Sequence, residues 1–327
     1  MNNELIQKLL LDYKSKFKKC NILCIGDMIL DHYIEGDINR NSPEAPISIL
    51  DLKSENYQLG GVGNVANNLV SFKSKVTVIY LSGNDFSSKK INELLDKNKK
   101  ITTLKIKNDS FITPHKTRYI SKSNHLLRVD KENLKFKLGK FYSDKMLKKV
   151  KKIIKNFDLV LLSDYSKGLF DKNLIQKIIK ICHENNKFVI ADPKKTDLSS
   201  YSNIDILTPN QKEITDSSTK KFLNEKQLVL FGSKVLHDYN IKNLLITRSE
   251  KGMLLINKKY TKKIKVFKNE VYDVTGAGDT VVAILGLMIA MGVSIVQAAV
   301  ISNYAAGIVI RKKGTSVTNF NEIISEK

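Results

Sequence analysis

The chain has 327 residues, 42% of them hydrophobic, enough apolar material to core one large α/β domain. Its 55 Lys and Arg against 33 Asp and Glu leave a formal charge of +22, a balance that raises nucleic acid or an anionic membrane as partners. The basic residues are spread along the whole chain without the aromatic interleaving of single-strand binders, which argues against both partners, and the positive field is read as suited to anionic small molecules.

Taken in order, the first residues place Glu4, Asp12 and several lysines around Leu5, Leu9 and Leu10, the pattern of an amphipathic helix rather than a signal peptide. Runs rich in Val, Ile and Leu follow at Ile22–Gly26, Val76–Leu81, Leu159–Ser163, Phe188–Asp192, Ile206–Thr208 and Leu244–Thr247, separated by longer helical patterns. They read as parallel strands buried between two helix layers. Several end in polar residues, as at Asp27, Asp164, Asp192 and Asn210, and open α/β sheets bind ligands beyond those carboxyl ends. Residues 34–57 and 110–130 break the alternation and read as inserted β-strands forming a lid. Lys145 to Lys155 carries Met146, Val150, Ile153 and Ile154 at helical spacing, a buried stripe under a solvated lysine face. The apolar run Val281 to Val293, 13 residues, is too short to span a bilayer and reads as a core helix. Cys20, Cys24 and Cys182 lack any metal-ligand spacing and fit reduced, buried thiols. No repeat or linker divides residues 1–327, so a single cytoplasmic domain is expected.

The segment with the most chemistry is Asp273-Val274-Thr275-Gly276-Ala277-Gly278-Asp279, a Gly-rich turn feeding the apolar helix. A helix start offers unpaired N–H groups and the positive end of its dipole, so Gly276, Ala277 and Gly278 can cradle a phosphate. Asp279 sits in the first turn, where a lone carboxylate is commonly just a dipole-favoured residue. Beside a phosphate site, its obvious use is to accept a proton from an attacking hydroxyl. A second glycine cluster, Gly60-Gly61-Val62-Gly63-Asn64, leads another helix, and Asn210 with Glu213 has the spacing of a capping box.

Together these segments resemble the ribokinase-like carbohydrate kinases. The resemblance implies a three-layer α/β/α sandwich with a mostly parallel sheet and a small β-sheet lid, and an ATP-dependent kinase in which Asp279 is the base and Gly276–Gly278 the anion hole. It places Asp31, Gly60, Gly61 and Asn64 against the sugar. Asn210, Thr247, Ser249, Gly252, Asn303 and Gly307 fall on the ATP side. Glu213 would meet Mg2+ through water, and Asp273 with Thr275 a monovalent cation such as K+. A homodimer with paired lids is also implied.

Several strings, among them Gly26–Asp31, Ser42–Pro46, Ser163–Gly168, Asp192–Lys194 and Thr247–Gly252, resemble the bacterial D-glycero-β-D-manno-heptose-7-phosphate kinases. That branch phosphorylates the anomeric hydroxyl to give the 1,7-bisphosphate for ADP-heptose and lipopolysaccharide core synthesis. A substrate that already carries a phosphate calls for cations near the lid, and Arg40, Lys116, Arg118 and Arg128 are the candidates. Many members of the branch continue into a nucleotidyltransferase with a His-x-Gly-His motif; this sequence has no such motif, so a separate transferase is expected to act later. Three other readings stay open: a kinase of the same fold acting on another sugar, sugar phosphate, nucleoside or pyridoxal-type alcohol; a catalytically silent, ligand-sensing relative; and a basic nucleic-acid-binding protein.

Overall fold

A computed structural model describes residues 3–122, 124–218, 222, 224–267 and 271–326. The strands are β1 (Asn21–Gly26), β2 (Met28–Asn41), β3 (Ser48–Gly61), β4 (Lys75–Ser82), β5 (Ile101–Lys107), β6 (His115–Ser121), β7 (Asn124–Lys131), β8 (Leu159–Ser163), β9 (Phe188–Asp192), β10 (Ile206–Leu207), β11 (Asn243–Thr247), β12 (Met253–Asn257) and β13 (Thr261–Ile264). Nine form one sheet in the order β13-β12-β11-β10-β9-β8-β1-β4-β5. It is parallel from β5 to β11 and closes with an antiparallel β11-β12-β13 edge. All six expected parallel strands are in it.

Alternate side chains of each central strand face opposite helix layers. Cys24, Leu159, Leu161 and Ile190 join one buried cluster with the helices Val62–Ser71, Ala277–Ala290 and Ile295–Val309. Leu23, Ile25, Val160 and Leu162 join the other, with the helices Lys140–Ile153, Lys172–Glu184 and Glu225–Asp238. Residues buried on both faces cannot alternate polar with apolar, which is why these strands appear in the sequence as unbroken Val, Ile and Leu runs. The lysine-rich helix buries Met146 and Val150 of the expected stripe together with Leu147, while Ile153 is half-buried and Ile154 is buried in the turn that follows the helix. All three cysteines are buried and free. Among the described residues, no helix is long and apolar enough to cross a membrane.

The remaining four strands make the lid, in the order β3-β2-β6-β7. It starts earlier than the sequence suggests. β2 begins at Met28, one residue after β1, and pairs antiparallel with β3 as far as Met28 opposite Gly61. The paired glycines are therefore the end of a lid strand rather than a free loop, and Asp31 lies on a strand. Gly61, at φ 58°, turns the chain directly into the helix Val62–Ser71. Residue 123, inside the expected second lid segment, lies outside the described residues.

Candidate functional site

The site forms where the lid, the carboxyl ends of the sheet and two helix starts converge. Gly276 caps the helix Ala277–Ala290 in the left-handed conformation, φ 80°, which favours glycine. A Cβ here would lie 2.6 Å from Asn64 Nδ2. Gly278 differs: a Cβ would meet no protein atom within 4 Å, so the fold leaves the space above it open. The Ala277 amide donates to the Val274 carbonyl at 3.2 Å. The amides of Gly276 and Gly278 have no partner among the described residues. Of the three amides expected to face an anion, two are thus available and one is engaged.

Asp279 is 2% exposed, at the floor of this turn. Asn64 Nδ2 donates to Oδ2 at 2.9 Å and the Tyr165 hydroxyl to Oδ1 at 2.7 Å. Burial pushes its pKa up to about 7, against the pull of those two hydrogen bonds. Asn64 is itself fixed from below, since Asn68 donates to its backbone carbonyl at 3.0 Å and accepts from Thr280 Oγ1 at 3.1 Å. This buried network ties the two glycine-led helices together, so each glycine motif positions a residue of the other.

On one side of Asp279 lies a cleft of about 1020 Å³. All seven residues expected beside the nucleotide or its magnesium line it: Asn210, Glu213, Thr247, Ser249, Gly252, Asn303 and Gly307. Its lining also includes the apolar Met253, Val266, Phe267, Val281 and Ile310, a character that suits a heterocyclic base. Gly252, at φ 73°, has no room for a side chain, because a Cβ would lie 2.1 Å from the Ile264 carbonyl. The Asn303 amide is turned to the Lys265 carbonyl at 2.8 Å, so it braces the cleft wall. The capping box is present: Asn210 Oδ1 accepts from the Glu213 amide at 2.8 Å, and Glu213 Oε2 from the Asn210 amide at 2.7 Å. Lys194 Nζ donates to the other Glu213 oxygen at 2.6 Å and lies 3.7 Å from Asp192.

On the other side stands the lid. Register puts Asp31 and Tyr33 of β2, Lys116 and Arg118 of β6, and Arg128 and Asp130 of β7 on one face. Arg118 is buried, 2.6 Å from Asp31 and 5.1 Å from the centre of the Tyr33 ring. Gly60 lies against the same carboxylate: a Cβ there would sit 2.1 Å from Asp31 Oδ2. Lys116 is half-buried, 5.9 Å from the centre of the Tyr165 ring, and burial lowers its pKa. Arg128 is exposed and paired with Asp130 at 2.9 Å. Arg40 is not brought to the site. It lies near the tip of β2, roughly 30 Å along the strand from Asp31 at about 3.3 Å per residue, and is 3.8 Å from Asp51.

Asp273 is tied to its own turn and to the loop at Gly314. Its Oδ1 accepts from the amide and hydroxyl of Thr275 and its Oδ2 from the Gly314 amide. Burial raises its pKa, but those hydrogen bonds outweigh it and hold the carboxylate below its ordinary range. Two residues central to this geometry, Tyr165 and Lys194, were assigned no role from the sequence. Each follows a strand by two residues, and a polar residue just beyond a parallel strand was the available signal.

A lidded, mostly parallel α/β sandwich with a buried carboxylate at a glycine-capped helix start defines a phosphotransferase of the sugar-kinase class. The chain belongs to the pfkB family of carbohydrate kinases, whose family model matches residues 19–321; it is an ATP-dependent phosphotransferase. It is 39% identical over 311 residues to the bifunctional protein HldE of Sulfurimonas denitrificans, covering 92% of this chain and 63% of the relative. Against the HldE of Helicobacter pylori it is 38% identical over 310 residues, covering 92% and 65%. The chain thus spans under two thirds of the length of these curated relatives. In fold it matches phosphofructokinase-2 from Escherichia coli in complex with substrates and products, with a TM-score of 0.77, 17% identity and coverage of 93% and 97%. Ribokinase from Thermotoga maritima matches with a TM-score of 0.70, 22% identity and coverage of 93% and 98%.

Proposed function

We propose that the chain transfers the γ-phosphoryl group of ATP to the anomeric hydroxyl of D-glycero-β-D-manno-heptose 7-phosphate. The observation that carries the kinase half of this reading is Asp279, buried between the nucleotide-sized cleft and the lid with both oxygens held by neutral donors. The substrate half is supported by the likeness to HldE and by Lys116, Arg118 and Arg128 on the lid face that also carries Asp31.

Asp279 takes the hydroxyl proton as the sugar oxygen attacks phosphorus, and the bond to ADP breaks. A carboxylate with a pKa near 7 is ionised in part at neutral pH yet basic enough to accept a proton. Gly276 and Gly278 offer their amides to the transferred group, and Ala277 completes the turn; preorganised dipoles need no rearrangement as charge develops. Asp31 accepts from sugar hydroxyls, with Gly60 and Gly61 shaping the approach and Arg118 holding the carboxylate. Lys116 is the lid cation best placed for the distal phosphate.

Among the described residues no group of three or more His, Cys, Asp or Glu is arranged to hold a metal. Magnesium would arrive with the nucleotide, where it offsets phosphate charge, and Glu213, already partnered on both oxygens, would face its water shell. Asp273, kept ionised beside the anion-hole turn, and Thr275 are the residues that would face a monovalent cation. The outer lid face exposes Leu127 and Val129, and a homodimer that pairs lids would cover them.

The test is ADP release from Mg·ATP with β- and α-heptose 7-phosphate, ribose, fructose 1-phosphate and fructose 6-phosphate. Preference for the β-heptose is expected. Activity on another sugar would keep the kinase and move the substrate, and silence on all would overturn the reading.

A further inference from the structure

The loop after β8 is built to present one side chain. Asp27, at the end of β1, accepts from the amides of Tyr165 and Lys167 on a single oxygen, at 2.8 and 3.1 Å. Asp164 accepts from the Ser166 amide at 2.8 Å and from the Tyr201 hydroxyl at 2.6 Å. Both carboxylates are buried, and the loop between them includes Ser166 at φ 55°, a conformation costly for serine. Such anchoring is hard to explain for a loop that only connects two elements. What it fixes is the Tyr165 ring, which lines the nucleotide cleft and lies 5.9 and 5.3 Å from Lys116 and Lys194. The ring ends with its hydroxyl 2.7 Å from Asp279 Oδ1.

We propose that Tyr165 is a positioning residue for the base, holding the Asp279 carboxylate ionised and aimed by donating its phenolic hydrogen to Oδ1. This rests on Asp279 being the base. The phenol cannot easily serve as an acid here, because burial and the neighbouring Asp279 push its pKa well above 10. It therefore keeps its proton and acts as a donor alone. Asn64 supplies the second donor from the opposite side, and each carboxylate oxygen retains a further lone pair for the proton of the acceptor hydroxyl. The charged groups facing Asp279 are Asp192, which opposes ionisation, and Lys194, which favours it, both from the end of β9. These two are joined to each other at 3.7 Å and so partly cancel. The neutral donors Tyr165 and Asn64 are left as the main counterweight to burial.

Removing the hydroxyl while keeping the ring tests this directly. In Tyr165→Phe the carboxyl loses a hydrogen bond to its charged form, and its titration should move up by about one to two pH units. The readout is the carboxylic-acid C=O stretch of Asp279 in infrared difference spectra of the ligand-free enzyme, assigned by its absence in Asp279→Asn. With the preferred sugar, turnover of Tyr165→Phe should fall about tenfold at pH 7 and recover toward wild type as pH rises past the new titration point. A carboxyl titration in Tyr165→Phe that superimposes on wild type overturns the proposal. That spectrum needs no substrate, so it judges Tyr165 even if the sugar is misassigned. Retained turnover in Asp279→Asn would instead sink the base assignment itself.

Discussion

Asp279→Asn should make a poorer enzyme and a more stable protein, with a stability gain that depends on pH. Burial raises the carboxyl from its ordinary 3.8 to about 7. The sign follows from linkage. A group whose folded pKa is raised contributes its full stability below the unfolded value and loses it as pH climbs through the folded value. Wild type therefore weakens between pH 4 and 7, whereas the Asn variant, which has no such proton to lose, does not. At about 1.36 kcal/mol per pH unit, the advantage of Asn should grow by about 3 kcal/mol between pH 5 and pH 8. The exchange also turns an amide N–H toward one of the two donors, Asn64 or Tyr165, which costs on the order of 1 kcal/mol at every pH. That offset cancels when the two pH values are compared. Denaturant titrations of both proteins at each pH measure the difference, and ADP release should show turnover reduced about 10²- to 10⁴-fold. A stability difference that is the same at both pH values would refute the claim that burial, rather than the Asn64 and Tyr165 donors, sets this carboxyl.

Three further outcomes are expected. Gly278→Ala should leave thermal stability unchanged or raise it by about 0.5–1 kcal/mol, since alanine suits a helix and its Cβ meets no protein atom, yet it should raise the KM for ATP; Gly276→Ala, at φ 80° and against Asn64, should lower stability by about 1–3 kcal/mol. Arg118→Ala strands the buried Asp31 and should cost about 3–5 kcal/mol in denaturant titrations. Lys116→Ala should raise the KM for the sugar phosphate about tenfold or more while leaving that for ATP in place, and Arg40→Ala should change neither.

The central strands were legible because each is buried on both faces, and an uninterrupted Val, Ile and Leu run can hardly be mistaken at five or six residues. The edges were not. β5 mixes Thr and Lys with Ile and Leu, as a strand with one open side must, and three of the four residues of β13 are polar. β12, four apolar residues directly after Gly252 and a closing Asn257, is missing from the expected strands, too short a run to stand out beside the turn before it. The lid showed its period of two in β6 and β7, but its first strand did not. Met28 to Tyr33 is buried at every residue, so it lacks the alternation that marks a lid strand.

Legibility of the site divides along the same physical line. Gly276, Gly278, Asn210 and Glu213 are local features: a helix start and a capping box declare themselves within a few residues. The contacts around Asp279 are of another kind. Asn64 and Tyr165 reach that carboxylate from 215 and 114 residues away in the chain. Nothing in the spacing of either motif says that its partner will be a carboxylate or which of its oxygens will be met. What the sequence does contain is the anchoring, since Asp27 and Asp164 stand immediately beyond adjacent strands β1 and β8. Two buried carboxylates at neighbouring strand ends that share one lysine, Lys195, 3.4 Å from Asp164, stay costly unless they also hold backbone amides, and holding amides means holding a loop. The residue between such amides is where a side chain of consequence should be sought, and here that residue is Tyr165.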